Sequence, residues 1–325
     1  MKAVVCKAWG PAESLVMEDR PALEAAPGQV VLSVKAANVK FSDNLIIQNK
    51  YQTKPELPFI PGGEVSGVVK AVGAGVEGWK VGDRVSAQSP SGGYAEEVSV
   101  APENLSAIPD SIDFAGAAGL TSTYGTAYYA LIDRGELKSG ETLLVLGASG
   151  GVGLAAVEIG KALGAKVIAC ASSEEKLAVC SEHGADATIN YATEDMRARV
   201  KEITKGKGLD VVYDPVGGDY SELALRDMAW GGRFLVIGFA AGPIPKISLN
   251  LPLIKGCSIV GVWVGAMSKR NPEKRRAMSA EIWKLYAAGK LKPHVWGTYP
   301  LEKAADALNA IAARKVAGKV VLTVA

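Results

Sequence analysis

Cysteine and histidine are scarce in this chain, and their scarcity excludes several classes of protein. The 325 residues contain four cysteines and two histidines. They are Cys6, Cys170, Cys180, Cys257, His183 and His294. Because the cysteines are widely scattered and form no C-x-x-C pair, we expect neither a disulfide framework nor a zinc lobe.

Net charge and long apolar runs are also lacking. The net charge is +2, so a nucleic-acid partner is not expected, and we interpret the five cations within residues 269–276 as a solvated helix end. The longest near-apolar run, residues 256–267, is shorter than the roughly 18 residues that suggest a membrane span. Lys7 interrupts the segment in which a signal peptide needs apolar residues. We therefore expect a cytoplasmic protein without a membrane segment.

Glycine is abundant, and its placement after one apolar segment predicts a phosphate-binding turn. Residues 142–161 (TLLVLGASGGVGLAAVEIGK) run from an apolar strand through a glycine-rich turn into a helix. Without Cβ atoms, Gly150, Gly151 and Gly153 let a pyrophosphate approach the backbone at the positive end of that helix. Ala148 stands where the dinucleotide fingerprint has its first glycine, so an ordinary strand-to-helix turn is the competing interpretation.

The segments that follow favour the dinucleotide interpretation. Further strands are predicted at residues 166–171, 187–190, 209–213, 233–237 and 258–264. Helical stretches lie between the earlier of these strands. Such alternation predicts a doubly wound parallel sheet of the Rossmann type, with ligand bound at the carboxyl ends of its strands.

The first third of the chain has a different pattern, typical of a β-barrel. Short β segments separated by Gly/Pro turns occur at residues 30–36, 64–72, 83–87 and 94–100. A helical stretch at 114–131 leads into the α/β region, which ends with a helix at 273–288. The sequence at 293–300 and 319–324 again indicates strands. We therefore predict a discontinuous barrel domain, residues 1–122 with 289–325, and a dinucleotide-binding domain, residues 123–288.

Five motifs occur in the order found in one known family. They are Pro61–Gly67 (PGGEVSG), Val81–Val85 (VGDRV), Gly92–Glu96 (GGYAE), Thr126–Leu131 (TAYYAL) and Ala148–Gly153 (ASGGVG). With them the chain resembles the medium-chain dehydrogenase/reductases, and among these the zinc-independent NADPH:quinone oxidoreductases. The resemblance implies an α/β protein with a GroES-like β-barrel domain, a Rossmann domain and a cleft between them. It also implies a homodimer joined through the edge of the Rossmann sheet, here residues 258–264.

The resemblance also bears on metal binding. Zinc-dependent relatives have a cysteine where this chain has Lys40 and a histidine where it has Gly63, so only Glu64 of the ligand set remains. Because catalytic zinc typically needs three protein ligands, no metal is expected. We interpret Glu64 as a structural carboxylate with Arg84 as its partner.

Without a Lewis acid, the expected chemistry is hydride transfer from a reduced nicotinamide to an acceptor that is already electron-poor. Quinones and α,β-unsaturated carbonyl compounds meet this requirement. The cofactor then carries the hydride, while the protein supplies position and electrostatics.

The cofactor is predicted from the end of the second Rossmann strand. NAD-selective folds place an acidic residue there to hold the ribose diol. This chain has Ser172, Ser173 and Lys176 instead, which suit the 2′-phosphate of NADPH. In the family the same pocket is completed by positions resembling Tyr191 and Arg314.

The other predicted cofactor contacts have two origins. The glycine-rich turn contributes Ser149, Gly150, Gly151, Val152 and Gly153, and the resemblance alone adds Asn38, Thr126, Phe239, Val262 and Val264. The catalytic candidates are Tyr51 and Lys40. Tyr51 either orients an acceptor carbonyl or packs as an ordinary aromatic, and Tyr94 lies in a segment that faces the cleft in the family. Lys40 replaces the usual asparagine, and its ammonium either stabilises a developing enolate or extends into solvent.

Two other functions remain open. Reduction of enoyl thioesters would use the basic cluster at 269–276 to hold the phosphates of coenzyme A. A non-catalytic role in RNA binding is known for some relatives of this fold, but the small net charge leaves it little support.

Overall fold

The computed structural model describes all residues from Met1 to Ala325, and the chain divides into two compact units. The barrel unit comprises Met1–Ser122 and Pro293–Ala325, and the Rossmann unit comprises Thr123–Lys292. The second boundary lies slightly beyond the predicted residue 288. One reason is that the backbone N–H of Lys292 donates to Glu158 Oε2 at 3.0 Å, which ties this segment to a helix of the Rossmann unit.

The chain forms fifteen β-strands and eleven α-helices. The strands are β1 (Lys2–Val5), β2 (Val16–Asp19), β3 (Val30–Val39), β4 (Glu64–Val72), β5 (Arg84–Gln88), β6 (Glu97–Val100), β7 (Leu105–Ala107), β8 (Thr142–Val145), β9 (Lys166–Ala171), β10 (Ala187–Asn190), β11 (Leu209–Asp214), β12 (Met228–Val236), β13 (Ser258–Gly261), β14 (Val295–Pro300) and β15 (Lys319–Thr323). The α-helices are α1 (Phe41–Ile47), α2 (Phe114–Ala117), α3 (Leu120–Tyr128), α4 (Gly151–Ala162), α5 (Glu174–Glu182), α6 (Met196–Ile203), α7 (Asp219–Arg226), α8 (Asn250–Lys255), α9 (Val264–Arg270), α10 (Pro272–Ala287) and α11 (Ala304–Ala312). None of the helices combines the length and apolarity needed to cross a membrane.

The barrel unit is built on a seven-stranded sheet. Its strand order is β14-β15-β3-β4-β5-β7, and β6 also pairs with β3. Alternate residues of β3, among them Val30, Leu32 and Val34, are fully buried in an apolar core, because successive side chains of a strand point to opposite faces. Because β15 lies between β14 and β3, the C-terminal segment completes this sheet.

The Rossmann unit contains a six-stranded parallel sheet in the order β10-β9-β8-β11-β12-β13. Its core includes Leu144, Ile168 and Val212, all at most 1 % exposed. The strand order reverses between β8 and β11, which is where ligands bind in such sheets. The predicted fold class, a Rossmann sheet with a GroES-like β-barrel domain, is confirmed.

Two predicted strands differ in extent. The segment 94–100 becomes a strand only at Glu97. Before it, Tyr94 donates its N–H to Pro61 O and Ala95 forms only an isolated bridge with Ala3. The strand predicted at 258–264 ends at Gly261, which pairs with Val236, the last residue of β12. Beyond that pair the edge strand has no neighbour to continue the ladder, and α9 begins at Val264.

Candidate functional site

The glycine-rich turn follows β8 at the centre of the Rossmann sheet. Gly147 has a φ of 57°, a left-handed conformation that glycine adopts without steric cost. A Cβ on Gly153 would lie 2.3 Å from Gly147 O, so this glycine is needed for α4 to pack closely on the turn. A Cβ on Gly150 would meet no protein atom closer than 3.4 Å. The chain itself therefore does not require glycine at 150, whereas a ligand lying against the backbone would.

The amino end of α4 is available to an anion. The helix begins at Gly151, its N-cap is Gly150, and no side chain caps it. Helix N-termini present unsatisfied N–H groups and a positive dipole end. The predicted residues Ser149, Gly151 and Val152 lie at this end, where they fit the pyrophosphate of a dinucleotide.

The end of β9 carries the predicted 2′-phosphate pocket. Lys176 Nζ donates to Ser172 Oγ at 3.2 Å, and the Ser173 side chain caps α5 at the N–H of Lys176. The structure thus brings the three predicted residues together at the amino end of one helix, where Ser172 and Ser173 precede α5 and Lys176 lies in its first turn. Their functional groups are a cation and hydroxyls, which suit an anion.

The acidic residue Glu174 near this pocket has an internal role. Glu174, in the first turn of α5, accepts a hydrogen bond from Asn190 Nδ2 at 2.7 Å. This bond holds the end of β10, where the backbone N–H of Tyr191 donates to Ala171 O at 3.1 Å. The Tyr191 ring packs on Tyr220 with a centroid separation of 4.4 Å. Tyr191 is therefore held beside the end of β9, as its predicted role requires.

The other predicted cofactor residues are distributed over both units. In the Rossmann unit, Thr126 lies in α3, Phe239 lies 37 % exposed in the turn after β12, and Val262 and Val264 lie at the start of α9. In the barrel unit, Arg314 follows α11 with a φ of 55°. Their contacts with a cofactor stay predictions.

A buried carboxylate organises the candidate catalytic cluster of the barrel unit. Glu64 is 3 % exposed at the start of β4. Its Oε1 accepts a hydrogen bond from Lys40 Nζ at 2.6 Å and one from Ser122, and its Oε2 accepts one from Asn38 Nδ2 at 2.9 Å. The predicted partner, Arg84, instead bonds Asp110 Oδ1 at 3.1 Å, so the proposed Glu64–Arg84 pair is wrong.

The electrostatics of this cluster favour an ion pair. Burial would raise the pKa of Glu64, but Lys40 and the hydrogen-bond donors hold that pKa below its usual value. Burial likewise opposes protonation of Lys40, and the negative charges of Glu64 and Asp43 outweigh it, so the pKa of Lys40 is raised. Lys40 is therefore a cation at neutral pH, and its side chain is still 34 % exposed. It is bound to Glu64 and does not simply extend into solvent.

Two glycines shape the surroundings of the carboxylate. A Cβ on Gly119, whose φ is 72°, would lie 2.4 Å from Asn38 Nδ2 and 2.7 Å from Glu64 Oε2. A Cβ on Gly63 would lie 2.4 Å from the carbonyl oxygen of Ser89. No group of three or more His, Cys, Asp or Glu side chains is placed to hold a metal ion.

Tyrosines 94 and 51 differ in environment. Tyr94 is fully buried and donates its hydroxyl to Asp43 Oδ2 at 2.9 Å. The Tyr94 hydroxyl is thus used inside the barrel core. That its segment faces a cleft, as the resemblance implies, stays a prediction. Tyr51 is partly exposed and lies close enough to Lys40 to contribute to the raised pKa of that lysine. The structure thus places the two predicted catalytic residues near each other.

Two members of the cluster were not predicted from the sequence. Ser122 bonds Glu64 from the end of the first long segment of the unit. Lys319 begins β15, and its buried ammonium donates to Gly116 O at 2.8 Å and Ala118 O at 2.6 Å. Burial lowers the pKa of Lys319 to about 8, against the opposing effect of Glu64. A lysine in an otherwise apolar strand (KVVLT) is the sequence signal that marks it.

Comparison with known proteins agrees with this two-unit organisation. Residues 26–132 match the family model "alcohol dehydrogenase GroES-like domain", and residues 151–283 match "zinc-binding dehydrogenase". These two domains together define the medium-chain dehydrogenase/reductase superfamily.

Relatives with high coverage define the family further. A quinone oxidoreductase-like protein 2 homolog of Nematostella vectensis is 42 % identical over 99 % of this chain and 88 % of its own length. A quinone oxidoreductase of Pseudomonas aeruginosa is 37 % identical over 99 % of both chains. The Escherichia coli quinone oxidoreductase complexed with NADPH superposes with a TM-score of 0.92, at 31 % identity over 99 % of this chain and 100 % of that one. The chain belongs to the quinone oxidoreductase family.

Proposed function

We propose that this protein is an NADPH-dependent reductase that transfers hydride to quinones or other electron-poor α,β-unsaturated carbonyl compounds without a metal ion. The observation that carries the proposal is the end of β9, where Lys176 Nζ and Ser172 Oγ are 3.2 Å apart and the neighbouring Glu174 is bonded to Asn190. A 2′-phosphate is attracted by such a site, whereas an acidic ribose clamp would repel it. Structural neighbours crystallised with NADPH support the same cofactor.

The residues of the Rossmann unit bind the cofactor in this proposal. The amino end of α4 and the backbone at Gly150 hold the pyrophosphate, and Ser172, Lys176 and Tyr191 hold the 2′-phosphate end. When bound, NADPH supplies a hydride from its reduced nicotinamide.

The residues of the barrel unit act on the acceptor. An α,β-unsaturated carbonyl compound takes the hydride, which carries both electrons, at its electron-poor β-carbon, and one proton, drawn from water, at its α-carbon, so that one hydride and one proton complete the reduction. Negative charge develops on the carbonyl oxygen during hydride transfer, and the Lys40 ammonium stabilises it. Glu64 holds that ammonium in place, and the Tyr51 hydroxyl orients the carbonyl.

The absence of a metal from the reaction is supported by the chemistry of the position itself. Lys40 is a cation at the position where the resemblance places a cysteine ligand of zinc-dependent relatives. It already bonds Glu64, the one member of their ligand set that this chain retains. A histidine at 63 would place its Cβ 2.4 Å from Ser89 O, so the turn has no room for that ligand. The "zinc-binding" description of the family model covers residues 151–283, which include none of these positions.

Exhaustive chelation tests this part of the proposal. Activity should survive dialysis against a strong chelator, because no step uses a Lewis acid. Stoichiometric zinc in the purified protein, with activity lost on its removal and restored by its return, would contradict the proposal.

The acceptor class is tested by following NADPH oxidation with a panel of quinones, enones and enoyl thioesters. Turnover with quinones or enones is the expected result. A strong preference for coenzyme A thioesters, lost when Arg270 and Arg276 are both changed to Ala, would favour the alternative reductase. Salt-sensitive RNA retention with no oxidation of NADPH by any acceptor would favour the non-catalytic alternative.

The partner we propose is a second copy of this chain, joined through the edge of the Rossmann sheet. The edge strand β13 pairs only with β12, so its outer hydrogen-bonding groups, apart from Gly261 O, which accepts Arg134 Nε at 3.1 Å, are open to another strand. Large apolar side chains are exposed nearby, among them Trp230 at 83 %, Leu253 at 77 % and Trp263 at 60 %. Exposed apolar groups beside an open strand edge support association of two identical surfaces.

Sedimentation of a single variant tests the dimer. Trp230→Ser should raise the dimer dissociation constant at least tenfold, because a large buried aromatic anchor typically contributes about 2 kcal/mol or more to an interface, and about 1.4 kcal/mol is already tenfold. Trp9→Ser, which removes a similar ring from the barrel unit, is the matched control. A wild-type protein that sediments as a monomer would contradict the proposal.

All four cysteines are free thiols, which is consistent with the reducing cytoplasm as the compartment of the reaction.

A further inference from the structure

Three turns interlock at the carboxyl ends of β8, β11 and β12. The turn after β11, residues 215–218, is bonded to the turn after β12 through Ala240 N to Pro215 O at 3.1 Å and Ala241 N to Val216 O at 2.8 Å. On its other side, Val216 lies against the turn after β8, because a Cβ on Gly147 would be 2.7 Å from Val216 Cγ2. The middle turn therefore supports both neighbours.

The backbone of the turn at 215–218 is not fixed by its own conformational preferences and needs contacts with other residues to hold it. Gly217 and Gly218 have φ values of 70° and 63°. Glycine adopts such angles readily but also leaves the unconstrained chain many alternatives. Gly217 packs closely on Phe239, since a Cβ there would lie 3.0 Å from the Phe239 ring. A small change in the turn would therefore move the predicted cofactor residue Phe239.

The carboxylate of Asp214 supplies this constraint. Asp214 ends β11 and is 3 % exposed. Its Oδ1 accepts the N–H groups of Val216 and Gly217, each at 2.8 Å, and its Oδ2 accepts the hydroxyl of Ser221 at 2.5 Å. Ser221 belongs to α7, so the turn is fixed at both of its ends.

The position of this arrangement in the sheet connects it with the cofactor. β8 and β11 are neighbours at the point where the strand order reverses, and a dinucleotide crosses the sheet there. The pocket for the 2′-phosphate lies at the end of β9, on the far side of β8 from β11. The turn at 215–218 is therefore on the side of the switch point opposite to the adenosine end.

We propose that Asp214 and Ser221 are positioning residues for the nicotinamide half of the dinucleotide, acting through the turn at 215–218 on Gly147 and Phe239. The inference rests on the proposed function, since it takes NADPH as the cofactor. Neither side chain reacts; both determine where the backbone that meets the nicotinamide half is held.

Binding measurements with the whole cofactor and with its adenosine half separate this positioning role from a general structural one. Ser221→Ala should weaken NADPH binding five- to tenfold, measured by nucleotide fluorescence or calorimetry. Binding of adenosine 2′,5′-bisphosphate, which carries only the adenosine end, should change less than twofold. Alanine is a better helix former than serine, so α7 itself is not disfavoured by the change. Ser221→Thr keeps the hydroxyl and should restore NADPH binding to within twofold of the wild-type protein.

The matched control lies on the same strand. Asp210, near the opposite end of β11, accepts the N–H of Thr142 at 2.8 Å, so Asp210→Asn removes a comparable carboxylate away from the turns. It should leave both ligands' affinities unchanged. Equal weakening of NADPH and the bisphosphate in Ser221→Ala, or wild-type affinity for both, would overturn the inference. Failure of the wild-type protein to bind NADPH would instead overturn the proposed function.

Discussion

Two buried carboxylates, one in each unit, are equally inaccessible but have different partners. Glu64 of the barrel unit and Asp214 of the Rossmann unit are each 3 % exposed. Glu64 is bound by the Lys40 ammonium in addition to a hydroxyl and an amide, whereas Asp214 is bound only by neutral N–H groups and a hydroxyl. The pKa of Glu64 is held below its usual value by these partners, and burial raises the pKa of Asp214 above its own.

The difference indicates how charge is used in each unit. In the barrel cluster the Lys40 cation is held by the Glu64 carboxylate, so the cluster contains its own counter-ion. Around the Rossmann turns, backbone N–H groups and hydroxyls prevail, and these suit a ligand that brings several negative charges itself.

The largest effect is expected when the cation of the barrel cluster is removed. Lys40→Met should lower kcat/KM for an enone about 10²-fold with NADPH affinity nearly unchanged, in line with the loss of one oxyanion donor. Steady-state kinetics with a separate cofactor-binding measurement would detect it. The control is Lys70→Met, which breaks the surface pair with Glu97 in the same unit.

A double variant separates catalysis from stability. Lys40→Met leaves Glu64 buried without its counter-ion and should destabilise the protein by about 2 kcal/mol, less than a fully buried pair would because the lysine is partly solvated. Adding Glu64→Gln should restore much of the stability and none of the turnover. A change in kcat/KM of less than about threefold in Lys40→Met would remove Lys40 from the reaction, since an ammonium already in water contributes little.

An intermediate effect is expected from reversing charge at the 2′-phosphate pocket. Lys176→Glu should weaken NADPH binding at least tenfold and spare NADH, because a charge-assisted contact to phosphate contributes about 1.5–3 kcal/mol. Fluorescence titration with both cofactors measures the ratio. Lys201→Glu, on the exposed last turn of α6, is the control for a general change of field. Equal loss for both cofactors would contradict the assignment.

The smallest effect concerns pH: the stability contributed by Glu64 and the stability contributed by Asp214 should change in opposite directions as pH falls. With a lowered folded-state pKa, Glu64 contributes stability above its unfolded-state pKa, and this is lost as pH falls through the folded-state pKa. With a raised folded-state pKa, Asp214 contributes stability that decreases as pH rises from its unfolded-state to its folded-state pKa. In denaturant titrations at falling pH, the stability lost in Glu64→Gln should therefore shrink, and that lost in Asp214→Asn should grow. Parallel slopes would show that the two partner sets are electrostatically equivalent.

The sequence predicted regular elements well where the pattern is local. The bounds of β4, β9 and β10 match the predicted segments, because apolar runs or alternation bounded by turn residues are read directly from the chain. The glycine-rich turn and the first turn of α5 were also predictable, since the residues that make each site are neighbours in sequence.

Side-chain partners across strands could not be predicted in the same way. Glu64 pairs with Gln88 in the β4–β5 ladder and Arg84 with Val68, so Arg84 lies about 13 Å further along the strands. Lys40 reaches Glu64 because β3 and β4 pair at Ala37 and Val65. Two bulges in this ladder shift the register in opposite directions and cancel, and neither has a clear sequence signature. The hydrogen bonds that Asp214 accepts from the turn at 215–218 and from Ser221 were not predicted either, since in the sequence an aspartate that ends a strand resembles an ordinary turn residue.

The insertion of β15 between β14 and β3 has a consequence for the order in which the chain acquires its structure during synthesis. The register joins Val320 to Val39, so this barrel ladder cannot close until the chain has been synthesised as far as β15. The Rossmann unit is one uninterrupted segment and can fold while the first barrel strands wait. Until then Ala36–Val39 of β3 lack the partner that β15 supplies, and Gly116 O and Ala118 O lack the Lys319 ammonium that satisfies them. We expect the released fragment 1–315, which lacks β15, to be protease-resistant over 123–292 and cleaved within the barrel segment.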